Sequence, residues 1–130
     1  MPTEKLSPAV EAFRGYTRAF QDLDPRRVAH YFHEPAFTIT PHGLTPLPTR
    51  NEVEEVYRRL MRDLPAQGYA RTEFSPLQER GLADDLVTVS GSGAWKKSNG
   101  EVIRRFGMTY TLRRSKGVWR VAVALIHDPV

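Results

Sequence analysis

Three long stretches of alternating apolar and polar residues make up the last third of the chain. They run from Leu86 to Lys97, from Glu101 to Arg114 and from Val118 to His127, separated by Ser98-Asn99-Gly100 and Ser115-Lys116-Gly117. Asn and Gly accept the positive φ values that a tight turn between antiparallel strands requires. The pattern predicts a three-stranded antiparallel meander.

Two helices are predicted near the start of the chain. Ser7-Pro8 offers a capping hydroxyl followed by proline at the first helical position, and an apolar stripe through Phe13 and Phe20 extends this helix over residues 8–22. Asp24-Pro25 repeats the combination and starts a short helix, which Glu34-Pro35 ends.

A third and longer helix is predicted to follow Pro48. Thr49 and Glu52 have the spacing of a capping box, in which each side chain bonds the backbone N–H of the other residue. Apolar residues then recur every three or four positions, at Val53, Val56, Tyr57, Leu60, Met61 and Leu64. Pro65 and Gly68 are expected to end this helix.

The segments between the helices and the meander show extended patterns. Pro35 to Thr40 alternates like a short strand, and Pro41 to Pro48 is typical of a proline-rich loop. Tyr69 to Leu82 is predicted to be a strand interrupted at Pro76, before Ala83-Asp84-Asp85 turns the chain into the meander. Helices followed by a mostly antiparallel sheet indicate an α+β fold, and 130 residues suit one domain, residues 1–130.

The two faces of the meander differ in their side chains. The bulky face of its second strand is expected to look toward the helices and carries Val102, Arg104, Phe106, Met108, Tyr110 and Leu112. The last strand is apolar on both sides, with Trp119, Val121, Val123 and Leu125 on one face and Ala122, Ala124 and Ile126 on the other. Three helices cover only one face of a sheet, so the second apolar face predicts a homodimer through the sheet.

Composition narrows the possible classes of protein. Charged residues make up 26% of the chain, and no stretch approaches the roughly 20 apolar residues of a membrane span. The segment from Met1 to Lys5 lacks the layout of a secretory signal, which favours a cytoplasmic protein. The absence of cysteine excludes disulfides, thiolate catalysis and cysteine-ligated metals.

A net charge of +4 raises the alternative of nucleic-acid binding. The arginines form short groups, such as Arg26-Arg27 and Arg104-Arg105, which are spread along the chain and interleaved with acidic residues. Because no basic run or tail concentrates this charge, we expect a solvated surface and no nucleic-acid partner.

Three segments of the sequence carry a family resemblance. They are Phe20-Gln21-Asp22-Leu23-Asp24-Pro25, Tyr31-Phe32-His33-Glu34-Pro35-Ala36-Phe37-Thr38 and Lys116-Gly117-Val118-Trp119-Arg120-Val121. Together with the order of elements over nearly the whole chain, they resemble the NTF2-like superfamily, and most of all its SnoaL-like and ketosteroid-isomerase-like branch of small bacterial proteins. The resemblance implies an α+β cone in which three N-terminal helices pack on a curved sheet around a deep apolar cavity. Members are commonly dimers, and they include enzymes and proteins that only bind.

The resemblance transfers catalytic residues only in part. Tyr16 matches the tyrosine of the first helix that binds an oxyanion in the isomerase-like members. Thr40-Pro41 stands where their general base, an Asp before a proline, would be, and a threonine hydroxyl cannot accept a proton near neutral pH. No Asp or Glu lies between Val102 and His127 to act as the second oxyanion partner. Steroid-isomerase chemistry is therefore disfavoured.

His127 is the candidate catalytic base. Strict alternation places it on the strand face of Trp119 and Leu125, at the end of an apolar wall where partial burial favours a neutral imidazole. The alternative is a strand-end histidine whose ring bonds a backbone carbonyl.

A cavity between helices and sheet would be lined by aromatic residues. Tyr16, Tyr57, Tyr110 and Trp95 offer apolar bodies with polar tips, with Phe20, Met61 and Met108 as further candidates for contact with a ligand. Side chains at such spacings are also typical of a plain hydrophobic core. His42 is placed near a possible cavity mouth, and Arg104 on the bulky face would need an acidic partner or access to water.

His30 and His33 have a spacing that could hold a metal, but no third ligand is fixed. No metal and no cofactor is therefore predicted. Two hypotheses of function remain: a domain that binds a small apolar, oxygen-bearing molecule, and a cofactor-independent isomerase, cyclase or lyase with His127 as base and Tyr16 or Tyr110 as hydrogen-bond donor.

Overall fold

Three α-helices and seven strands form the structure, a computed structural model that describes residues 7–129. In chain order they are α1 (Pro8–Gln21), α2 (Pro25–His30), β1 (Phe32–Thr40), β2 (Gly43–Leu47), α3 (Arg50–Arg62), a 3-10 turn (Pro65–Gln67), β3 (Tyr69–Phe74), β4 (Gln78–Ala83), β5 (Leu86–Lys97), β6 (Val102–Ser115) and β7 (Val118–His127). Met1 to Lys5, the segment that favoured a cytoplasmic protein, lies outside the described residues. Within 7–129, none of the helices is long and apolar enough to cross a membrane.

The first two helices begin at the caps that the sequence predicts. The Ser7 hydroxyl accepts a hydrogen bond from the Val10 backbone N–H at 3.1 Å, and the Asp24 carboxylate accepts one from the Arg27 N–H at 3.1 Å. Each cap satisfies one of the amides that the first turn of a helix leaves unpaired. The predicted starts of α1 and α2 are therefore confirmed.

The third helix starts where predicted but is capped differently. Thr49 occupies the cap position without a side-chain hydrogen bond, so the predicted capping box is wrong. Glu34 of β1 takes its place, because its carboxylate accepts the Arg50 backbone N–H at 2.8 Å and pairs with the Arg50 guanidinium at 3.0 Å. A contact distant in sequence thus replaces the local one and ties α3 to the sheet.

The strands form one curved sheet in the order β2-β1-β7-β6-β5-β3, with β4 also paired to β5. All pairs are antiparallel except β1 with β7, which is parallel. The β5-β6-β7 meander and the mostly antiparallel α+β cone are confirmed. Of the three helices, α1 and α3 contact the sheet as expected, whereas α2 packs mainly against α3 and α1.

Of the two predictions for the segments between the helices and the meander, one is wrong and one is incomplete. The loop from Pro41 to Pro48 contains β2, an edge strand that tolerates Pro46 because an edge position can do without one N–H donor. The strand predicted from Tyr69 to Leu82 is interrupted at Pro76 as expected, and its two parts are separate strands, β3 and β4, which share β5 as a partner. At 12 residues, β5 is long enough for both six-residue strands.

A β-bulge in β7 exchanges the faces of its side chains. Thr111 pairs with Val123 and Leu112 pairs with Val121, so Ala122 has no partner on β6. Val121 before the bulge and Ala124 after it both point into the core. They are three positions apart, whereas inward residues of a regular strand are separated by an even number of positions. The predicted single face from Trp119 to His127 is therefore wrong, since every residue after the bulge lies on the opposite side from that expected.

The core lies between the helices and the concave face of the sheet. Its largest fully buried side chains come from every layer: Phe13, Phe32, Leu47, Leu64, Met108, Leu112, Val28, Val53, Val89 and Val121. Burial of each such side chain contributes roughly 1.5–3 kcal/mol to stability. The predicted inward face of β6 is confirmed at Phe106, Met108, Tyr110 and Leu112, which are all buried.

The ring of Phe106 on the neighbouring strand β6 leaves no room for a side chain at Gly93 of β5. A Cβ at Gly93 would lie 2.6 Å from Phe106 Cζ. We expect Gly93→Ala to lower the free energy of unfolding by about 1–3 kcal/mol, as overpacking does, and Phe106→Leu to recover part of it. Urea unfolding of the two single variants and the double variant measures the coupling.

Gly81→Ala is the matched control, because a Cβ at Gly81 of β4 would meet nothing within 4 Å. Equal stability of the Gly93→Ala and Gly81→Ala proteins would contradict this packing.

Candidate functional site

A cavity of about 340 Å³ lies between α1, α3 and the concave face of the sheet. By the liquid volume of water it has room for about eleven water molecules. Its lining comes from eight segments and consists of Tyr16, Thr17, Phe20, Thr40, His42, Tyr57, Leu60, Thr72, Phe74, Trp95, Arg104, Phe106, Tyr110 and Ile126. The cavity is mostly apolar with a few polar atoms, which is the usual character of a small-molecule site.

A wider groove of about 610 Å³ lies outside the cone, between the start of α1 and the β6–β7 turn. It is open to solvent, and most of its lining residues, such as Glu11, Arg14 and Arg18, are exposed. The inner cavity is the stronger candidate because it brings buried polar atoms together.

Three tyrosine hydroxyls meet at the inner end of the cavity. Tyr16 of α1 stands in the middle, with its oxygen 3.0 Å from the Tyr57 oxygen of α3 and 2.7 Å from the Tyr110 oxygen of β6. All three residues are buried, with exposed fractions of 4–6%. We refer to Tyr16, Tyr57 and Tyr110 as the tyrosine triad.

The triad holds more protons than its internal hydrogen bonds use. Each neutral phenol has one O–H donor, so three donors serve the two contacts that centre on Tyr16. Whichever way the hydroxyls rotate, one O–H proton has no acceptor within the triad. This proton therefore needs an acceptor outside the triad.

The tyrosines of the triad stay neutral well beyond physiological pH. Burial raises the pKa of Tyr57 to about 12, against a weaker opposing effect of its hydrogen bond to Tyr16. Burial also raises the pKa values of Tyr16 and Tyr110 well above their ordinary value, with the neighbouring tyrosines as a further cause. The triad is therefore a hydrogen-bond donor and not a base.

Aromatic rings form one wall of the cavity between the triad and the mouth. Phe20 packs on Tyr57 at 6.1 Å between ring centroids and stacks on Trp95 at 5.8 Å. Trp95 also contacts the edge of Phe106 at 6.0 Å. These rings present a continuous apolar surface with Tyr57 at its inner end.

The mouth of the cavity is marked by its exposed lining residues, His42, Leu60 and Arg104. His42 lies in the turn between β1 and β2, and its backbone N–H donates to the Thr40 hydroxyl at 3.2 Å. The Arg104 guanidinium lies 5.8 Å from the centre of the Trp95 ring. Both placements agree with the sequence, which put His42 near a mouth and Arg104 on the bulky face of β6.

The cavity brings together most of the residues that the sequence analysis selected for a ligand site. Tyr16, Phe20, Tyr57, Trp95 and Tyr110 line it, whereas Met61 and Met108 do not and are buried in the core instead. Met108 lies between the lining residues Phe106 and Tyr110 on the inward face of β6, yet it is fully buried and does not line the cavity. Alternation identifies the inward face and not the depth of each side chain.

His127 does not line the cavity, contrary to its expected place on the inner wall. It pairs with Gly107 on the convex face, where a Cβ on Gly107 would lie within 3 Å of its ring. Its Nδ1 lies 2.8 Å from the Asp128 backbone carbonyl oxygen, so the alternative of a strand-end histidine bonding a carbonyl describes it. The bulge at Ala122 is the reason, because it places Ile126 in the lining and turns His127 outward.

The sequence analysis missed several lining residues. Leu60 lies one turn after Tyr57 on α3, so helical spacing could have placed it beside the cavity. Phe74 and Ile126 gave no such signal, because their positions depend on the division of β3 from β4 and on the bulge in β7.

The two spaced histidines do not form a metal site. His33 is held between the Pro35 carbonyl oxygen at 2.9 Å and the Arg113 guanidinium at 3.0 Å, while the His30 ring packs against Tyr31. In the described part of the chain, no three histidine or acidic side chains are grouped closely enough to hold a metal ion.

Solved structures with the same architecture come from several bacteria. Aln2 from a Streptomyces species is 21% identical, with 98% of this chain and 94% of that chain covered and a TM-score of 0.75. An NTF-2-like protein of unknown function from Shewanella oneidensis is 14% identical over 93% and 97%, with a TM-score of 0.75. A domain of unknown function with a cystatin-like fold from Nostoc punctiforme is 18% identical over 97% and 80%, with a TM-score of 0.76. At these identities the likeness shows the fold alone.

A search of curated proteins by sequence finds no match. The family described as NTF2-like protein (DUF6841) matches residues 4–129, which is almost the entire chain. The order of helices and strands and the cavity inside the cone agree with that match. The chain therefore belongs to the NTF2-like protein family DUF6841.

Proposed function

We propose that the protein binds a small, largely apolar molecule that carries a carbonyl or hydroxyl oxygen, and that this oxygen accepts a hydrogen bond from the tyrosine triad. The observation that carries the proposal is the O–H donor left over at the inner end of an aromatic cavity. In a site of low polarity, an unpaired donor costs about 1–3 kcal/mol. A ligand oxygen removes that cost, and the apolar wall favours the rest of the molecule.

The alternative is a SnoaL-like or isomerase-like enzyme that moves protons without a cofactor. Such chemistry needs a base within hydrogen-bond reach of the substrate. The lining contains no Asp or Glu, the triad stays protonated, and His127 lies on the convex face. His42 is the remaining titratable base of the lining, and it lies at the mouth, away from the donors. This arrangement favours binding over catalysis.

Removing all three triad hydroxyls should abolish the preference for an oxygen-bearing ligand. The probes are para-methylacetophenone and para-ethyltoluene, which differ by the carbonyl oxygen. A Tyr16→Phe/Tyr57→Phe/Tyr110→Phe variant keeps the rings, and loss of all partners at once leaves no orphaned polar group. We expect the ratio of ketone to hydrocarbon affinity to fall about fivefold to tenfold, the value of one net hydrogen bond. Calorimetry, or quenching of Trp95 fluorescence, measures both affinities.

An unchanged ratio in this variant would contradict the role of the triad, and failure of both probes to bind the native protein would contradict the cavity proposal. Leu82→Ala, an exposed position on β4 outside the lining, is the control and should leave both affinities unaltered.

The raised pKa of Tyr57 predicts a loss of stability in alkali. In the folded state the Tyr57 hydroxyl keeps its proton to about pH 12, whereas in the unfolded chain it loses this proton near pH 10. This contribution, roughly 3 kcal/mol, is fully present below pH 10 and is lost as the pH rises toward 12. Urea unfolding across this interval should show a smaller decline for the triple phenylalanine variant than for the native protein. Equal declines would show that the triad is not protected from ionisation.

We also propose that two copies associate through the convex face of the sheet. Two cross-strand rows lie there: Leu44, Ile39, Leu125, Thr109 and Ser90, and Pro46, Phe37, Val123, Thr111 and Thr88. From β2 to β5 neither row contains a charged residue, although the second row continues on β4 to Arg80, which pairs with Thr88. Two copies can therefore meet over the part of the rows between β2 and β5 without burying a charge. Leu44 and Phe37 are 59% and 39% exposed, and such an apolar patch is typical of an association surface.

A charge in the middle of these rows should separate the copies. We expect Leu125→Lys to shift the molar mass in solution from dimer to monomer, because the two-fold contact would bury like charges. Val102→Lys, at an exposed apolar position outside the rows, is the control and should remain dimeric. Light scattering after size exclusion gives the mass, and a native protein that is monomeric at high concentration would contradict the proposal.

A further inference from the structure

We propose that the ligand of this cavity is a carboxylate, with its charged group at the mouth against Arg104 and its carbonyl or hydroxyl oxygen at the tyrosine triad. This inference rests on the proposed function and adds the chemical class of the ligand. Arg104 is then the residue that determines specificity for an anion.

The charge of the cavity is unbalanced. Among its lining residues Arg104 is the one permanent charge, and none is Asp or Glu. Arg27, Arg50, Arg58, Arg59, Arg62 and Arg71 all pair with carboxylates of the chain. Within residues 7–129 no ion pair or hydrogen bond involves the Arg104 guanidinium. The positive potential at the mouth is therefore open to an anion from outside.

Trp95 positions this guanidinium. Arg104 and Trp95 face each other directly on β6 and β5, and the guanidinium carbon lies 5.8 Å from the ring centre. Trp95 is itself fixed by stacking on Phe20 at an interplanar angle of 21°. A guanidinium that rests on an aromatic face keeps its N–H fork free in the plane of the group, which suits the two oxygens of a carboxylate.

The two polar ends of the cavity are joined by an apolar path. Tyr57 contacts Phe20 at 6.1 Å, Phe20 contacts Trp95 at 5.8 Å, and Trp95 contacts Arg104 at 5.8 Å. A ligand that fits this path has an oxygen at one end, an apolar body and an anionic group at the other end. A ligand with one negative charge would balance the one positive charge of Arg104. A carboxylate carries this negative charge on a planar group that matches the guanidinium.

Para-acetylphenylpropanoic acid has this arrangement of groups, and its primary amide has nearly the same shape without the charge. We expect the native protein to bind the acid about tenfold more tightly than the amide, as a charge-assisted contact provides. Added salt should reduce this preference, because the contact is at the mouth and is screened. Arg104→Gln should reduce the ratio of acid to amide affinity to about one, because the variant no longer has a charge that distinguishes the two probes.

Arg105→Gln is the matched control, because Arg105 is the next residue on β6 and is opposite Ala94 on the convex face. It removes the same net charge and should keep the preference for the acid. Circular dichroism and thermal unfolding check that both variants are folded. We expect both to fold, since both arginines are exposed.

The outcomes separate this inference from the proposed function. If acid and amide bind the native protein equally well, or if Arg105→Gln loses the preference as fully as Arg104→Gln, the carboxylate assignment is wrong while binding in the cavity stands. If neither probe binds and the neutral ketone does not bind either, the proposed function itself is wrong.

Discussion

The contact of three buried tyrosine hydroxyls connects the main layers of the molecule at one point. Tyr16, Tyr57 and Tyr110 belong to α1, α3 and β6, so their oxygens meet only when both helices lie correctly on the sheet. Buried polar atoms destabilise the fold unless they form hydrogen bonds. No buried side-chain nitrogen or oxygen of the described residues lacks a partner, and the triad meets this requirement while retaining one donor. The hydrogen bonds that fix α1 and α3 on the sheet therefore also provide the O–H donor of the cavity.

Local signals in the sequence were sufficient for much of the fold. The caps at Ser7 and Asp24 involve residues three positions apart, and the turns of the meander depend on the positive φ values of Gly100, Lys116 and Gly117. Each is decided by neighbours in the chain, which is why the pattern predicts them. The family resemblance added the cone and its cavity, and the family match and the solved structures confirm this fold.

Contacts distant in sequence account for what the sequence analysis missed. Glu34 caps α3 in place of the capping box, and this requires β1 to lie beside the helix. The pairing of β3 with β5 is also distant in sequence. The strand β2 is an exception, because it forms a hairpin with β1 and was missed since the prolines in and around it are typical of a loop. The bulge at Ala122 has no signature in an apolar run, and it alone reverses the expected orientation of His127.

The candidate site divides in the same way. Tyr16, Tyr57, Tyr110 and Trp95 were predicted because aromatic residues on helix and strand faces point to a common interior. Their hydroxyl contacts could not be predicted, since these depend on angstrom-scale packing between three elements. The position of Arg104 on the inner face follows from alternation along β6, but its lack of a carboxylate partner is visible only in three dimensions.

Donation of a triad proton to a ligand oxygen can be measured by isotope-edited infrared spectroscopy of para-methylacetophenone with a labelled carbonyl carbon. Because a donated proton weakens the C=O bond, we expect the carbonyl stretch of the bound ketone to lie below its value in a hydrocarbon solvent. This shift should disappear in the triple phenylalanine variant. If the bound ketone instead had the carbonyl frequency that it has in hydrocarbon, the triad would not donate a hydrogen bond to the ligand.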